Sequence, residues 1–141
     1  MTRLRISGPR KAGTRRRATA VVELAVVLPI LLTLLFGIIE FGWDFMVYQS
    51  VTNAAREGCR VAVLNGSSDS DITGRISNYL SSLGLTTDKY TVHLEHATTN
   101  NPTETVKVSV PYASIGLLGN YFGLSHKILT STAQMRKEGA Q

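Results

Sequence analysis

Between Ala18 and Ile39 the chain holds 22 residues, and Glu23 is the only charged one. At ~1.5 Å per residue such a helix is about 33 Å long, enough to cross a bilayer. Apolar positions then continue at an unbroken 4,3 spacing. They run from Ala20 and Leu24 through Phe41, Phe45, Tyr48, Thr52, Ala55 and Cys59 to Ala62. That spacing marks one face of a helix. Before Phe41 it carries little information, because nearly every residue is apolar. Beyond Asp44 it is informative, since Gln49, Asn53, Arg56, Glu57 and Arg60 fill the opposite side. Asn65-Gly66 supplies a stop. The pattern predicts a single helix of about 45 residues that crosses a membrane and lays its far half on its own domain or on neighbouring helices.

The remainder reads as a small α+β domain. "SSDSDITGRISNYLSSLG" offers Ser/Asp capping, with Ile72, Ile76, Tyr79, Leu80 and Leu83 on one face and Gly84 at the end. "KYTVHLEHA" and "TETVKVSVPY" alternate apolar and polar residues on either side of "TTNNP", which predicts an antiparallel hairpin. "HKILTSTAQMRKE" puts Leu129, Ser131, Ala133 and Met135 on one face, as a third strand would. The glycine-punctuated "ASIGLLGNYFGLSH" reads as a loop that closes the core or, in a sharper reading, as an exposed partner-binding patch. The organisation is a basic leader over 1–18, expected to be disordered, a transmembrane helix over 19–42, its exported continuation over 43–65, and an exported α+β domain over 66–141.

Charge sharpens the topology. The net charge of +5 belongs to a tail: residues 1–17 carry seven basic residues and no acid, and the rest of the chain is net negative. A basic tail can serve nucleic acid, but one that abuts an apolar run acts as a topological signal. It places the N-terminus in the cytosol and the C-terminal domain outside, in a single-pass protein. The run is too long for a cleaved secretory signal, and no small-x-small site follows it. The single Cys59 allows no internal disulfide.

Catalytic chemistry is not visible. His93 and His96 lie three apart in an expected strand, on opposite faces, and make a poor metal pair. No Gly-rich phosphate loop or Ser/His/Asp constellation occurs, and Asp69 and Asp71 suit a helix N-terminus. The expectation is a protein without catalytic residue, metal, cofactor, nucleic-acid partner or small-molecule substrate.

Glu23 is then the anomaly. A charge at the bilayer centre costs ~3 kcal/mol on insertion scales, and Glu23 lies about 8 Å of helix inside the run, where the cost is lower but real. It can snorkel toward Arg15, Arg16 and Arg17, or it can meet a cation at its own depth. A cut after Ala18 would supply that cation as the new α-amino group of Thr19, and would remove the basic leader.

The stretch "RRRATAVVELAVVLP…FGIIEFG", followed by "NAAREGCRVAV", resembles the TadE-like family, minor pilins (pseudopilins) of the tight-adherence pilus apparatus. The resemblance covers Arg15–Leu64 and extends weakly through "VKVSVPY" and "AQMRKE". It implies cleavage by a membrane-embedded prepilin peptidase, with Ala18 at −1, Thr19 at +1 and Glu23 at +5. It also implies the membrane, other pilins and pilus assembly proteins as partners. The family's usual −1 residue is glycine, and the residue after its glutamate is often aromatic; here these are Ala18 and Leu24. A permanently uncleaved bitopic scaffold of a secretion machine is the second reading. A reporter that is active only outside the cytosol, fused after Gln141, is expected to be active; strong activity from a cytosol-only reporter at that site would overturn this topology.

Overall fold

The apolar run and the stripe that follows it form one helix, α1, Ala12–Ala62, with Pro29 inside it. The computed structural model describes residues 12–117 and 123–137, with side chains from residue 17 onward. Most of the basic leader therefore lies outside the described residues, as does part of the glycine-punctuated segment after Leu117. The expected disorder over 1–18 is corrected for its last residues, because α1 is already helical at Ala12. Extending an existing helix adds one hydrogen bond per residue fixed, and arginine is a good helix former.

The chain divides into two compact units between Ile39 and Glu40. In the first, the large apolar side chains from Val21 to Ile39 are each 40–66% exposed. An 18-residue window of this helix has a mean hydropathy of 2.6. Among the described residues one helix is long and apolar enough to cross a membrane, which fits a single-pass membrane protein. Its interior hydroxyl is satisfied locally: Thr33 Oγ1 donates to the Pro29 carbonyl at 2.8 Å, so no bare donor faces the surroundings.

The second unit is α+β. It contains the remainder of α1, then α2 (Asp69–Ser81), β1 (Thr91–Glu95), β2 (Thr103–Pro111), a 3₁₀ turn (Tyr112–Ser114) and β3 (Ile128–Arg136). The strands form an antiparallel sheet in the order β1-β2-β3. Register puts Val92 opposite Val108, Leu94 opposite Val106, Val106 opposite Ala133, and Val110 opposite Leu129. Because side chains alternate along a strand, these residues share the inner face. α2 starts in a capping box: the Asp71 N–H reaches Ser68 Oγ at 3.4 Å, and the Ser68 N–H reaches Asp71 Oδ2 at 2.9 Å. The Ser68 hydroxyl and then its N–H hold the Asp71 carboxyl below the ordinary aspartate value. α2 ends in a Schellman closure, with Gly84 at φ +73 and the Leu85 N–H on the Leu80 carbonyl. Ile72, Ile76 and Leu80 are its buried face; Tyr79, expected there, is 37% exposed.

The expected stripe of α1 lies on its own domain only in part. Phe41, Phe45 and Tyr48 lie on the expected stripe, yet they are 63, 63 and 41% exposed. The buried face is Glu40, Val47, Val51, Ala54, Ala55, Cys59 and Ala62. The two stripes merge at Ala55, Cys59 and Ala62 and separate toward the membrane end. Phe41 and Cys59 are 18 residues apart, five whole turns at ~3.6 residues per turn, so they lie on one line of α1; β2 covers that line at Cys59 and it is open at Phe41. The buried side is also the side of small residues. A Cβ added at Gly58 would lie 2.7 Å from both Cγ1 and Cδ1 of Ile76 and 3.5 Å from Val106 Cγ1. α1 thus packs closely on α2 and β2 through its missing side chain. Gly58→Leu is expected to overpack this contact and to destabilise the domain by ~1–3 kcal/mol, read as a lowered urea midpoint of the full chain in detergent. Unchanged stability would mean that the contact does not hold the core together.

Candidate assembly and processing site

The sequence-predicted site residues lie in the first unit. The backbone of Arg15 and Arg16 is helical and their side chains fall outside the described residues, whereas Arg17, Ala18, Thr19 and Glu23 are helical and exposed. Thr19 and Glu23 are four residues apart, so they share one face of α1 about 6 Å apart along the axis. Helical structure is continuous across the Ala18–Thr19 junction. An acceptor carboxylate and a prospective amine position therefore stand one turn apart, on a helix whose apolar side chains are covered by nothing in their own unit. That geometry can present Glu23 to a cation at its own depth.

The second unit holds two polar clusters that sequence reasoning did not single out. Glu40 is 1% exposed, and the Tyr112 hydroxyl donates to its Oε1 at 2.6 Å. Three residues along, the Trp43 indole N–H donates to the Ile115 carbonyl at 2.7 Å. Asp44 lies one turn beyond Glu40, and its Oδ1 is buried without a hydrogen-bond partner. These contacts fasten the start of the unit's α1 segment to the 3₁₀ turn that follows β2. A signal for them exists in the sequence: Glu40, Asp44, Val47 and Val51 form a 4,3,4 stripe of their own, running beside the aromatic one. Two acids in an otherwise apolar stripe argue for a buried donor elsewhere in the chain.

The other cluster closes the far end of the sheet. Glu104, 3% exposed, lies on the inner face of β2 opposite Met135. His96 Nδ1 is 3.1 Å from Glu104 Oε2, and its Nε2 is 3.1 Å from Asp69 Oδ1. Lys137 Nζ reaches Glu104 Oε1 at 3.4 Å. The cluster thus links α2, the hairpin loop and the end of β3 through one buried carboxylate. His96, weighed in sequence as a poor metal ligand with His93, serves here as a bridge between two acids. Cys59 is fully buried and its thiol donates to the Glu104 carbonyl at 3.4 Å.

Tyr112 carries the clearest electrostatic signature. Burial, followed by hydrogen bonding to Glu40 and the neighbouring Asp44 carboxylate, pushes its phenol far above the ordinary tyrosine value. The folded chain therefore holds this proton more firmly than the unfolded chain does. The stabilisation is complete below about pH 10 and is lost as pH rises beyond it, because the unfolded chain gives up its proton first.

Residues 18–60 match the family model of TadE-like proteins, the family that the opening stretch resembles. The match covers α1 from Ala18 to Arg60 and stops before α2 and the sheet. No curated protein and no solved structure matches the chain significantly.

Tyr112→Phe is expected to lower stability at neutral pH by ~1–3 kcal/mol, since Glu40 loses a buried hydrogen bond. It should also flatten the decline in stability above about pH 10. A variant whose alkaline unfolding profile is unchanged would show that the Tyr112 proton is not held in this way.

Proposed function

We propose that the protein is a membrane-anchored minor pilin, or pseudopilin, that assists assembly of a tight-adherence pilus. The observation that carries this reading is the TadE-like match over residues 18–60, which begins at the residue preceding the proposed cut. It supports association with a tight-adherence pilus system. The exposed apolar helix supports single-pass anchoring, and the seven basic residues before it support a cytosolic N-terminus and an exported C-terminal domain.

In this reading the precursor waits in the inner membrane, its basic leader in the cytosol. A prepilin peptidase cuts between Ala18 and Thr19 and removes the seven basic residues that hold the helix end at the cytosolic face. The apolar helices can then be drawn into a bundle. There Glu23 of one subunit pairs with the α-amino group on Thr19 of the next. An isolated carboxylate in a bundle of low polarity is costly, so this pair favours one axial register over its neighbours. The protein performs no catalysis of its own; its partners are the peptidase, other pilins and pilus assembly proteins, and its effect on adhesion follows from assembly.

One observation favours the second reading, an uncleaved bitopic scaffold. Ala18 stands where the family usually has glycine, and α1 runs helically through the junction. The mature N-terminus separates the two: Thr19 supports the pilin, and Met1 or Thr2 the scaffold.

Ala18→Phe is expected to block processing and leave full-length precursor in the membrane, while Ala18→Gly preserves or improves it. Glu23→Gln should leave insertion and the folded domain intact, because an amide is at least as well tolerated in lipid as a carboxylate. It should reduce pilus-dependent adherence, because an amide supplies no full countercharge. Normal adherence of Glu23→Gln cells, together with an Ala18→Phe protein still beginning at Thr19, would refute the proposal and leave Glu23 a carboxylate snorkelling toward its arginines.

A further inference from the structure

The sheet ends on β3, and among the described residues no strand pairs with the outer edge of β3. The β2–β3 ladder shows which backbone groups lie along that edge. The Tyr112 N–H donates to the Lys127 carbonyl at 2.8 Å, and the Lys137 N–H donates to the Pro102 carbonyl at 2.9 Å. These two pairs continue the register just beyond each end of β3. Hydrogen-bonded and non-bonded pairs alternate along an antiparallel ladder. Leu129, Ser131, Ala133 and Met135 therefore turn their N–H and C=O groups to β2. Ile128, Thr130, Thr132, Gln134 and Arg136 turn theirs outward.

An open edge of this kind is a template for a further strand, and proteins blunt it with brevity, charge, proline or a bulge. β1, at the opposite edge, has five residues, and His93 and Glu95 stand in it. β3 has nine, with no proline or glycine, and its one charge is Arg136 at the end. Its register with β2 runs through all nine without a bulge. The strand is also complementary to itself. Turned antiparallel about Thr132, the middle one of the outward residues, it sets Thr132 against Thr132, Thr130 against Gln134 and Ile128 against Arg136, all of them exposed. On the inner face Leu129 meets Met135, and Ser131 meets Ala133. Leu129 and Met135 are only partly buried at the margin of the core, so this pairing extends the apolar layer. No like charges oppose each other within the strand. Just beyond it Lys127 faces Lys137, whose ammonium already has Glu104 at 3.4 Å.

We propose that β3 is a self-association surface, its outer edge pairing antiparallel, about a two-fold axis at Thr132, with β3 of a second copy of this chain. Every outward N–H and C=O of the strand then has a backbone partner, and two three-stranded sheets become one continuous sheet. Backbone groups alone would accept any extended strand. The match of Leu129 with Met135 and the even placement of outward residues about Thr132 select a second copy, in the isologous arrangement that two-fold dimers use. The surface lies wholly within the second unit, so it goes beyond the pilin reading and holds whether or not the chain is cut after Ala18.

The test uses the one residue that the symmetry sets against itself. Thr132 is exposed, so a charge there leaves the core of each copy untouched. Self-association of the full chain in detergent is measured by sedimentation over a range of concentrations, and the parent is expected to dimerise. Thr132→Lys and Thr132→Glu are each expected to weaken the dimer about tenfold, because like charges then face each other across the axis. An equal mixture of the two variants is expected to recover the parent's association. Amide exchange is read on the same samples. The Thr130, Thr132 and Gln134 amides should be protected in the parent and exchange about tenfold faster in Thr132→Lys. The Ser131 and Ala133 amides, bonded to β2, should stay protected in both, which also reports that the variant is folded. A parent that sediments as a monomer would overturn the proposal, and so would a dimer that Thr132→Lys leaves unchanged. Failure of the mixture to recover would overturn the two-fold register in favour of a different partner strand. Outward amides still protected in monomeric Thr132→Lys would overturn it in favour of another segment of the same chain covering the edge.

Discussion

The C-terminal domain is organised by the absence of one side chain. At Gly58 the backbone of α1 comes close enough to Ile76 that even a methyl group would collide with it. Cores are packed near the density of organic crystals, so this approach sets the spacing of α1, α2 and β2 together. The small residues Ala54, Ala55 and Ala62 continue the same face, and Val106, Val108 and Val110 meet it from the central strand. Rotating the helix so that Phe45 and Tyr48 faced the sheet would put rings where the domain has room only for methyl groups. The aromatic residues are outside because the inside is reserved for a close contact.

That constraint explains what could be read from the chain and what could not. α2, the hairpin and β3 were legible because their signals are local. A Ser68–Asp71 capping box, a Gly84 terminator and strict alternation about β2 each act within a few residues. The apolar run from Ala18 to Ile39 was legible from composition alone. The buried side of α1 was legible only at its far end, through the small residues Ala55, Gly58 and Ala62, and not toward Glu40. Two stripes, one of aromatics and one through Glu40, Asp44, Val47 and Val51, compete over the same turns, and hydrophobicity alone favours the aromatics. The choice depends on a phenol 72 residues away and on Ile76 of another helix, neither of which a periodicity can see. The start of α1 was also misjudged, because glycine at position 13 reads as a breaker in isolation but is carried by the helix that follows. Ala18, Thr19 and Glu23 could be singled out from their order next to three arginines, and their role remains a proposal about chemistry in a neighbouring copy.

The two carboxylates that are buried among the described residues share a design. Glu40 and Glu104 sit at opposite ends of the packed face of α1, and each is met by donors from a distant part of the chain: Tyr112 for one, His96 and Lys137 for the other. Such contacts add little net stability compared with apolar residues of the same shape. Their effect is selective, because a slip of strand or helix register would strand a charge away from water. The apolar face between them tolerates small shifts; the carboxylates at its ends do not.

Cys59 gains significance from where this packing puts it. Its sulfur lies toward the Glu104 end of the packed α1 face, with no exposed surface, directed at a main-chain carbonyl of β2. Disulfide formation requires a thiolate that can reach another sulfur. A closed domain therefore keeps its thiol out of reach of any other sulfur. Only a chain whose α1 has come away from β2 presents Cys59 to a disulfide partner, so covalent linkage through this residue reports loss of the fold.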